Sequence, residues 1–161
     1  LNNRAVERVC RIKGINPAKQ RLSMVCGDIS QASDYARIDN NAFRLLKSNL
    51  PGPFTFILPA STKLAKAFKG RHEVGVRVPD NGIARCLADS LGNPLLSASA
   101  AWDDADNEEL ARPEDVALHF EGVVDAFVDG GSVPALPTSV VSLIDSSSPE
   151  ILREGCVELD F

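Results

Sequence analysis

The chain has 161 residues, of which 44% are hydrophobic and 24% charged, with 22 acidic against 17 basic side chains and a net charge of -5; its mean hydropathy is -0.05. These are the proportions of a globular protein with enough chain for one continuous core. No window reaches the roughly 18 to 20 consecutive apolar residues of a membrane span, and Leu1–Lys13 is too charged for the apolar stretch of a secretory signal, so the expected location is the cytoplasm.

Val6, Val9 and Cys10 recur at helical spacing, and Asn3 is placed to cap a helix running through Lys13. Leu22–Cys26 reads as a short buried strand. Ser30–Tyr35 and Asn41–Leu50 read as helices, the second with Phe43, Leu46 and Leu50 on one side. Leu50-Pro51-Gly52-Pro53 must end that helix, because proline removes a donor and glycine permits a turn. Phe54–Leu58 follows as a strand. Ser61-Thr62 is expected to cap a short basic helix (Lys63, Lys66, Lys69) that Gly70 stops.

Val74–Pro79 alternates strictly as a strand. Asp80 is expected to cap the next helix, which holds Ile83 and Leu87 and ends at Gly92. Further strands are expected at Pro94–Ser99, Val123–Val128, Ser139–Ile144 and Ile151–Arg153. A helix should begin near Pro113, since proline favours the first helical position. Helices and strands alternate early and strands gather late, which predicts an α/β or α+β fold around one twisted, open, mixed sheet.

Charge is unevenly spread along these elements. Residues 1–24 carry six basic side chains against Glu7, and residues 63–85 carry six against Glu73 and Asp80. Residues 102–129 carry ten acidic side chains against Arg112. A positive surface results if the two basic stretches meet; otherwise these are solvated helix faces. The four cysteines, Cys10, Cys26, Cys86 and Cys156, are far apart in sequence and flanked by apolar residues. Neither they nor His72 and His119 have metal-ligand spacing, so no metal site is expected and the thiols are expected to be buried and free.

In Val74-Gly75-Val76-Arg77-Val78 the valines share one sheet face and Gly75 and Arg77 the other. An arginine beside a glycine suits bidentate binding of a carboxylate or phosphate. A strand arginine paired with a surface acid has the same pattern. Ser97 and Ser99 share a face in Pro94-Leu95-Leu96-Ser97-Ala98-Ser99-Ala100, where small hydroxyls could approach a phosphate or sugar, or simply pack beneath a helix. Thr138-Ser139 opens a strand after Leu136-Pro137, and Arg153 stands at a strand end. No G-x-S-x-G, Walker A or G-x-G-x-x-G motif occurs, and no covalent nucleophile is expected. Arg, Lys and Ser/Thr groups of this kind stabilise anions rather than attack them.

The motifs also resemble those of a known family. Leu50-Pro51-Gly52-Pro53-Phe54-Thr55-Phe56-Ile57-Leu58 is similar to the Pro-Gly-Pro-x-Thr-x-x-Leu segment of the YrdC-like family. Val76–Asp80, Pro94–Ala100, Pro137–Val141 and Arg153-Glu154-Gly155 follow in that family's order and spacing. The resemblance implies one YrdC-like domain over 1–161 that lacks the family's N-terminal strand, with its Pro-Thr-Asp-Thr-x-Tyr-Gly motif. The absence of an N-terminal Met likewise suits a fragment or a processed product. The resemblance further implies synthesis of threonylcarbamoyl-adenylate from L-threonine, bicarbonate and ATP, with release of pyrophosphate, for the threonylcarbamoyladenosine modification of tRNA.

By motif position, Arg77 and Ser139 would hold threonine. Lys13, Ser97, Ser99 and Arg153 would bind ATP, which brings a divalent cation, expected to be magnesium. The alternative function is a tRNA- or double-stranded RNA-binding module of the same fold without synthase activity. Two departures favour the YciO branch: the family's Lys-x-Arg reads Lys13-Gly14-Ile15, with Lys19 and Arg21 as substitute cations, and its Ser-Ala-Asn reads Ser99-Ala100-Ala101.

Overall fold

The computed structural model describes residues 3–14, 23–62, 72–102 and 106–161. The basic helix expected after Thr62, together with Leu22, Lys19 and Arg21, lies outside the described residues. The chain divides into two compact units, Leu1–Ala98 with Pro137–Phe161, and Ser99–Leu136.

The larger unit is built on a sheet of six strands: β1 (Ser23–Val25), β2 (Phe54–Pro59), β3 (Glu73–Arg77), β4 (Leu95–Ser97), β5 (Ser139–Ser142) and β6 (Glu150–Arg153), in the order β4-β1-β3-β2-β5-β6. β1 pairs parallel with β3, as β2 does with β5; the other three ladders are antiparallel. The mixed open sheet is the expected one. Among the described residues this unit also holds helices α1 (Asn3–Ile12), α2 (Ile29–Ser33), α3 (Asn40–Asn49) and α4 (Gly82–Leu91).

One face of the sheet makes the main core. Met24, Phe54, Phe56, Leu58, Val74, Val76, Val78, Val141 and Leu143 pack with Ala32, Tyr35 and Ala36 and with Ala42, Leu45 and Leu46 of α3. Burying a side chain as large as Phe56 or Leu46 completely contributes about 1.5–3 kcal/mol. The stripe of α3 therefore differs from the expected one: Leu46 is buried, but Phe43 is exposed and Ala42, Leu45 and Asn49 take the inner side. Asn49 sits there at no hydrogen-bonding cost, because its amide donates to the Leu45 and Asp160 carbonyls and accepts from the Asp160 N–H. Val6 and Cys10 of α1 form a smaller cluster with Leu96 and Ala98.

Local chemistry sets the helix ends. Asp39 caps α3 through the N–H groups of Asn41 and Ala42. Asn81, rather than Asp80, caps α4, since its side-chain oxygen accepts from the N–H of Ala84 three residues on. Gly92 ends α4 as expected, in the left-handed conformation (φ 64°) that glycine adopts without strain.

The smaller unit holds α5 (Asn107–Ala111) and α6 (Pro113–His119). Pro113 opens α6 as expected, and Asp106 and Glu109 form a reciprocal capping box on α5. No strand forms at Val123–Val128. The N–H groups of Val123 and Val124 both donate to the Phe120 carbonyl, closing the turn after α6. A strand needs a ladder, and among the described residues this stretch has none. Two of the four thiols also differ from expectation. Cys10 and Cys26 are buried and free, whereas Cys86 and Cys156 are exposed and free.

Candidate anion-binding face

The strand registers place the functional side chains. On β3, Val74, Val76 and Val78 point into the core, so Gly75 and Arg77 point to the opposite face. Val25 and Ile57 are buried on that opposite face and belong to neither core cluster. Ladder partners share a face, which lets the face be read in rows across the sheet. Ser97, Ser23 and Gly75 form one row. In the next, Val25 pairs with Arg77, Thr55 with Val140, and Val140, across a register shift in the β5–β6 ladder, with Arg153. Thr55 stands one position beyond the Phe56–Val76 pair of the β2–β3 ladder, beside Arg77.

Arg77 is the electrostatic centre of this face. Its Nε is buried without a hydrogen-bond partner, and among the described residues its guanidinium has no acid paired with it. Among the described residues, the reading of Arg77 as a strand arginine paired with a surface acid finds no such acid. Burial, and then the charge of Arg153, lower its pKa from the ordinary value. Two cations that raise each other's free energy become favourable when an anion sits between them.

Arg153 is held in place from outside. Its Nε and Nη2 donate to the Thr138 carbonyl at 3.0 and 2.8 Å, and Nη2 donates to the Thr138 hydroxyl at 3.0 Å. This fixes the guanidinium plane with no acid involved, so its charge is not neutralised locally.

The remaining expected site residues are distributed as follows. Ser97 ends β4 on the same face as Arg77, opposite Ser23. The β4 ladder stops there, so Ser99 lies past the strand, in the smaller unit, where its hydroxyl accepts from the N–H of Ala101 at 3.2 Å. Lys13 follows α1, its N–H closing the last turn on the Val9 carbonyl. Ser139 pairs with Phe54 and so belongs to the core face. It is buried, its hydroxyl donates to the Val157 carbonyl and accepts from the N–H of Gly155, each at 3.0 Å. The structure thus brings Arg77, Ser97 and Arg153 to one face of the larger unit and turns Ser139 to the other.

Ser23 and Thr55 share the Arg77 face; Ser23 does not stand out in the sequence, and Thr55 lies in the Pro-Gly-Pro-x-Thr-x-x-Leu segment without a role read from it. Thr55 carries the only polar side chain in the strand Phe-Thr-Phe-Ile-Leu-Pro, and that is the signal it gives. Ser23 gains its place only from the parallel register with β3, which no local pattern encodes. Gly75 lets the three meet: a Cβ there would stand 3.2 Å from Ser23 Cβ and 3.4 Å from the Thr55 methyl.

Comparison with known proteins bears on this face. The family model for Sua5/YciO/YrdC proteins, described as telomere recombination, matches residues 1–155. An uncharacterised protein of Haemophilus influenzae is 40% identical over 153 residues, which are 94% of this chain and 73% of that protein. The crystal structure of Escherichia coli YciO superposes with a TM-score of 0.84 at 35% identity, covering 96% of this chain and 75% of that one. The crystal structure of P. abyssi Sua5 complexed with L-threonine superposes with a TM-score of 0.81 at 27% identity, over 94% of this chain but 44% of that one. The register, the basic face and a match along nearly the whole length lead to one assignment: the chain belongs to the Sua5/YciO/YrdC family.

Proposed function

We propose that the chain acts as a YrdC/YciO-type synthase, joining L-threonine, bicarbonate and ATP into threonylcarbamoyl-adenylate with release of pyrophosphate, as a supplier of tRNA modification. The observation that carries this reading is the half-buried Arg77 guanidinium, its Nε without a partner among the described residues, on the same face as Arg153. A cation kept out of water without a partner is costly unless a ligand anion completes it. The L-threonine complex of P. abyssi Sua5 supports an amino-acid carboxylate as that anion.

In this reading Arg77 takes the threonine carboxylate as a two-pronged donor. Arg153 faces the nucleotide's phosphates, Ser97 donates from the neighbouring row, and Lys13 completes the nucleotide site. Ser139 would reach threonine only if its bonds to Gly155 and Val157 gave way; as it stands, it anchors the C-terminal segment. The threonine amine attacks the bicarbonate carbon and a C–O bond breaks with loss of water, giving a carbamate whose oxygen attacks the α-phosphorus; the bond to the bridging oxygen breaks and pyrophosphate leaves. The protein's part is to orient the two anions and offset their charge, with no covalent intermediate.

Among the described residues no group of three His, Cys, Asp or Glu side chains is placed to hold a metal. In this reading the divalent cation, expected to be magnesium, arrives with the nucleotide as its counter-ion. Among the described residues no helix is long and apolar enough to cross a membrane.

The test is pyrophosphate release from ATP that depends on both threonine and bicarbonate. Arg77→Ala should raise the threonine KM at least roughly tenfold, the worth of a charge-assisted hydrogen bond. No pyrophosphate at saturating substrates from the full-length protein overturns synthesis. Salt-dependent binding to duplex RNA under the same conditions would move the chain to the binding-module reading.

A further inference from the structure

We infer that Thr55 is a direct ligand of the oxyanion bound on this face, its hydroxyl donating from the floor between Arg77 and Arg153. The inference rests on the anion-binding reading above and adds a residue to it. β2 is an interior strand, flanked by β3 and β5, and it is apolar except at this position. A valine there would match the shape, favour the strand more and bury no polar atom. Thr55 is 9% exposed, on the face of the sheet that carries Arg77. A polar side chain kept at this one position of an otherwise apolar interior strand, beside Arg77, marks the place of a ligand.

The row fixes its neighbours. Thr55 pairs with Val140, and Val140 with Arg153; on the other side Thr55 adjoins Arg77. Arg77 stands on the adjoining strand β3 and Arg153 on β6, one strand beyond β5, whose Val140 lies between Thr55 and Arg153. The Thr55 methyl rests against Gly75, where a Cβ would come within 3.4 Å of it. Two arginines supply charge and in-plane donors, and a hydroxyl from beneath supplies a donor outside those planes. A carbonate, carboxylate or phosphate, with oxygens in more than one direction, uses all three.

The experiment is calorimetric titration of the intact chain with inorganic phosphate and, separately, with bicarbonate, for the wild type and for Thr55→Val, Thr55→Ser and Arg77→Ala, with circular dichroism to establish folding. Thr55→Val should weaken binding roughly tenfold or more, and Thr55→Ser should stay within about twofold of wild type, as expected for one hydrogen bond to a charged group. Loss with phosphate alone assigns the hydroxyl to the nucleotide's tail, and loss with bicarbonate alone to the carbon oxyanion. Unchanged affinity in Thr55→Val, with loss in Arg77→Ala, rejects Thr55 and leaves the site standing. Should Thr55→Val fail to fold, a Thr55→Ser protein that folds and has lost affinity likewise rejects it. No binding by the wild type rejects the site, and Thr55 with it.

Discussion

Arg153 is clamped to Thr138 by three hydrogen bonds, two into the carbonyl and one into the hydroxyl. The carbonyl bonds depend only on the backbone, so the threonine side chain adds one bond of the three. Thr138→Val should leave the fold intact and weaken phosphate binding roughly three- to tenfold, by loosening the guanidinium rather than removing it. Arg153→Lys should cost more, because one ammonium cannot reproduce the planar fork. Titration calorimetry on both variants checks the order.

Gly155 tests how tightly the C-terminal segment is fastened. A Cβ there would run into the Ser139 nitrogen and the Thr138 carbonyl carbon, and would lie 2.8 Å from the Pro137 oxygen. All three are backbone atoms of a strand start and cannot swing away. Gly155→Ala must lift the segment and break the bonds of Gly155 and Val157 to the Ser139 hydroxyl and of Cys156 to Pro137. The expected loss is about 3 kcal/mol, a Tm fall of roughly 6–12 °C for a chain of this size. Gly82 opens α4 with nothing within 4 Å of its Cβ position. Gly82→Ala should be neutral or raise stability by up to about 1 kcal/mol. Thermal melts of the two alanine variants should therefore move in different directions.

Much of this architecture is written in local patterns. The alternation Val74-Gly75-Val76-Arg77-Val78 correctly divides β3 between core and open face, because a strand's period of two is set by its own backbone. Gly92 and Pro113 mark their helix boundaries for the same local reason. What the sequence hides depends on partners. Ser139 has the strand-start pattern of a ligand residue, yet pairing with Phe54 turns it to the core face, where two backbone groups of a distant segment occupy its hydroxyl. Val123–Val128 has strand composition but no ladder among the described residues. Ser23 and Thr55 join Arg77 through inter-strand register alone, a relation between residues up to about fifty positions apart that no window along the chain contains.

The thiols should separate into two classes. Cys26 is fully buried, and burial, with the nearby Asp28 charge, pushes its pKa up to about 12. The reacting species is the thiolate, so this thiol should be inert at pH 8. Cys10 is shielded within its small cluster, while Cys86 and Cys156 are exposed. A colorimetric disulfide reagent should titrate two thiols rapidly in the native protein and all four in denaturant. Fast labelling of Cys26, identified by peptide mapping, would contradict its place in the core.

Asp39 should give the acid limb of stability a specific origin. One carboxylate oxygen accepts from the N–H groups of Asn41 and Ala42, and the other from the Ser146 hydroxyl at 2.7 Å. The Ala42 bond first, then the Ser146 bond, hold its pKa below the ordinary carboxylate value. A carboxyl lowered on folding contributes stability above its unfolded pKa of about 3.9 and loses it as pH falls through the folded value. Ser146→Ala removes one of these donors and moves the folded pKa back toward the unfolded one. The variant should therefore be less stable than wild type at pH 7, and the gap should close as pH falls through the lowered Asp39 pKa. Urea midpoints measured from pH 7 to pH 2 would show two curves converging at the acid end; parallel curves would mean that the Ser146 hydroxyl does not act through the Asp39 carboxylate.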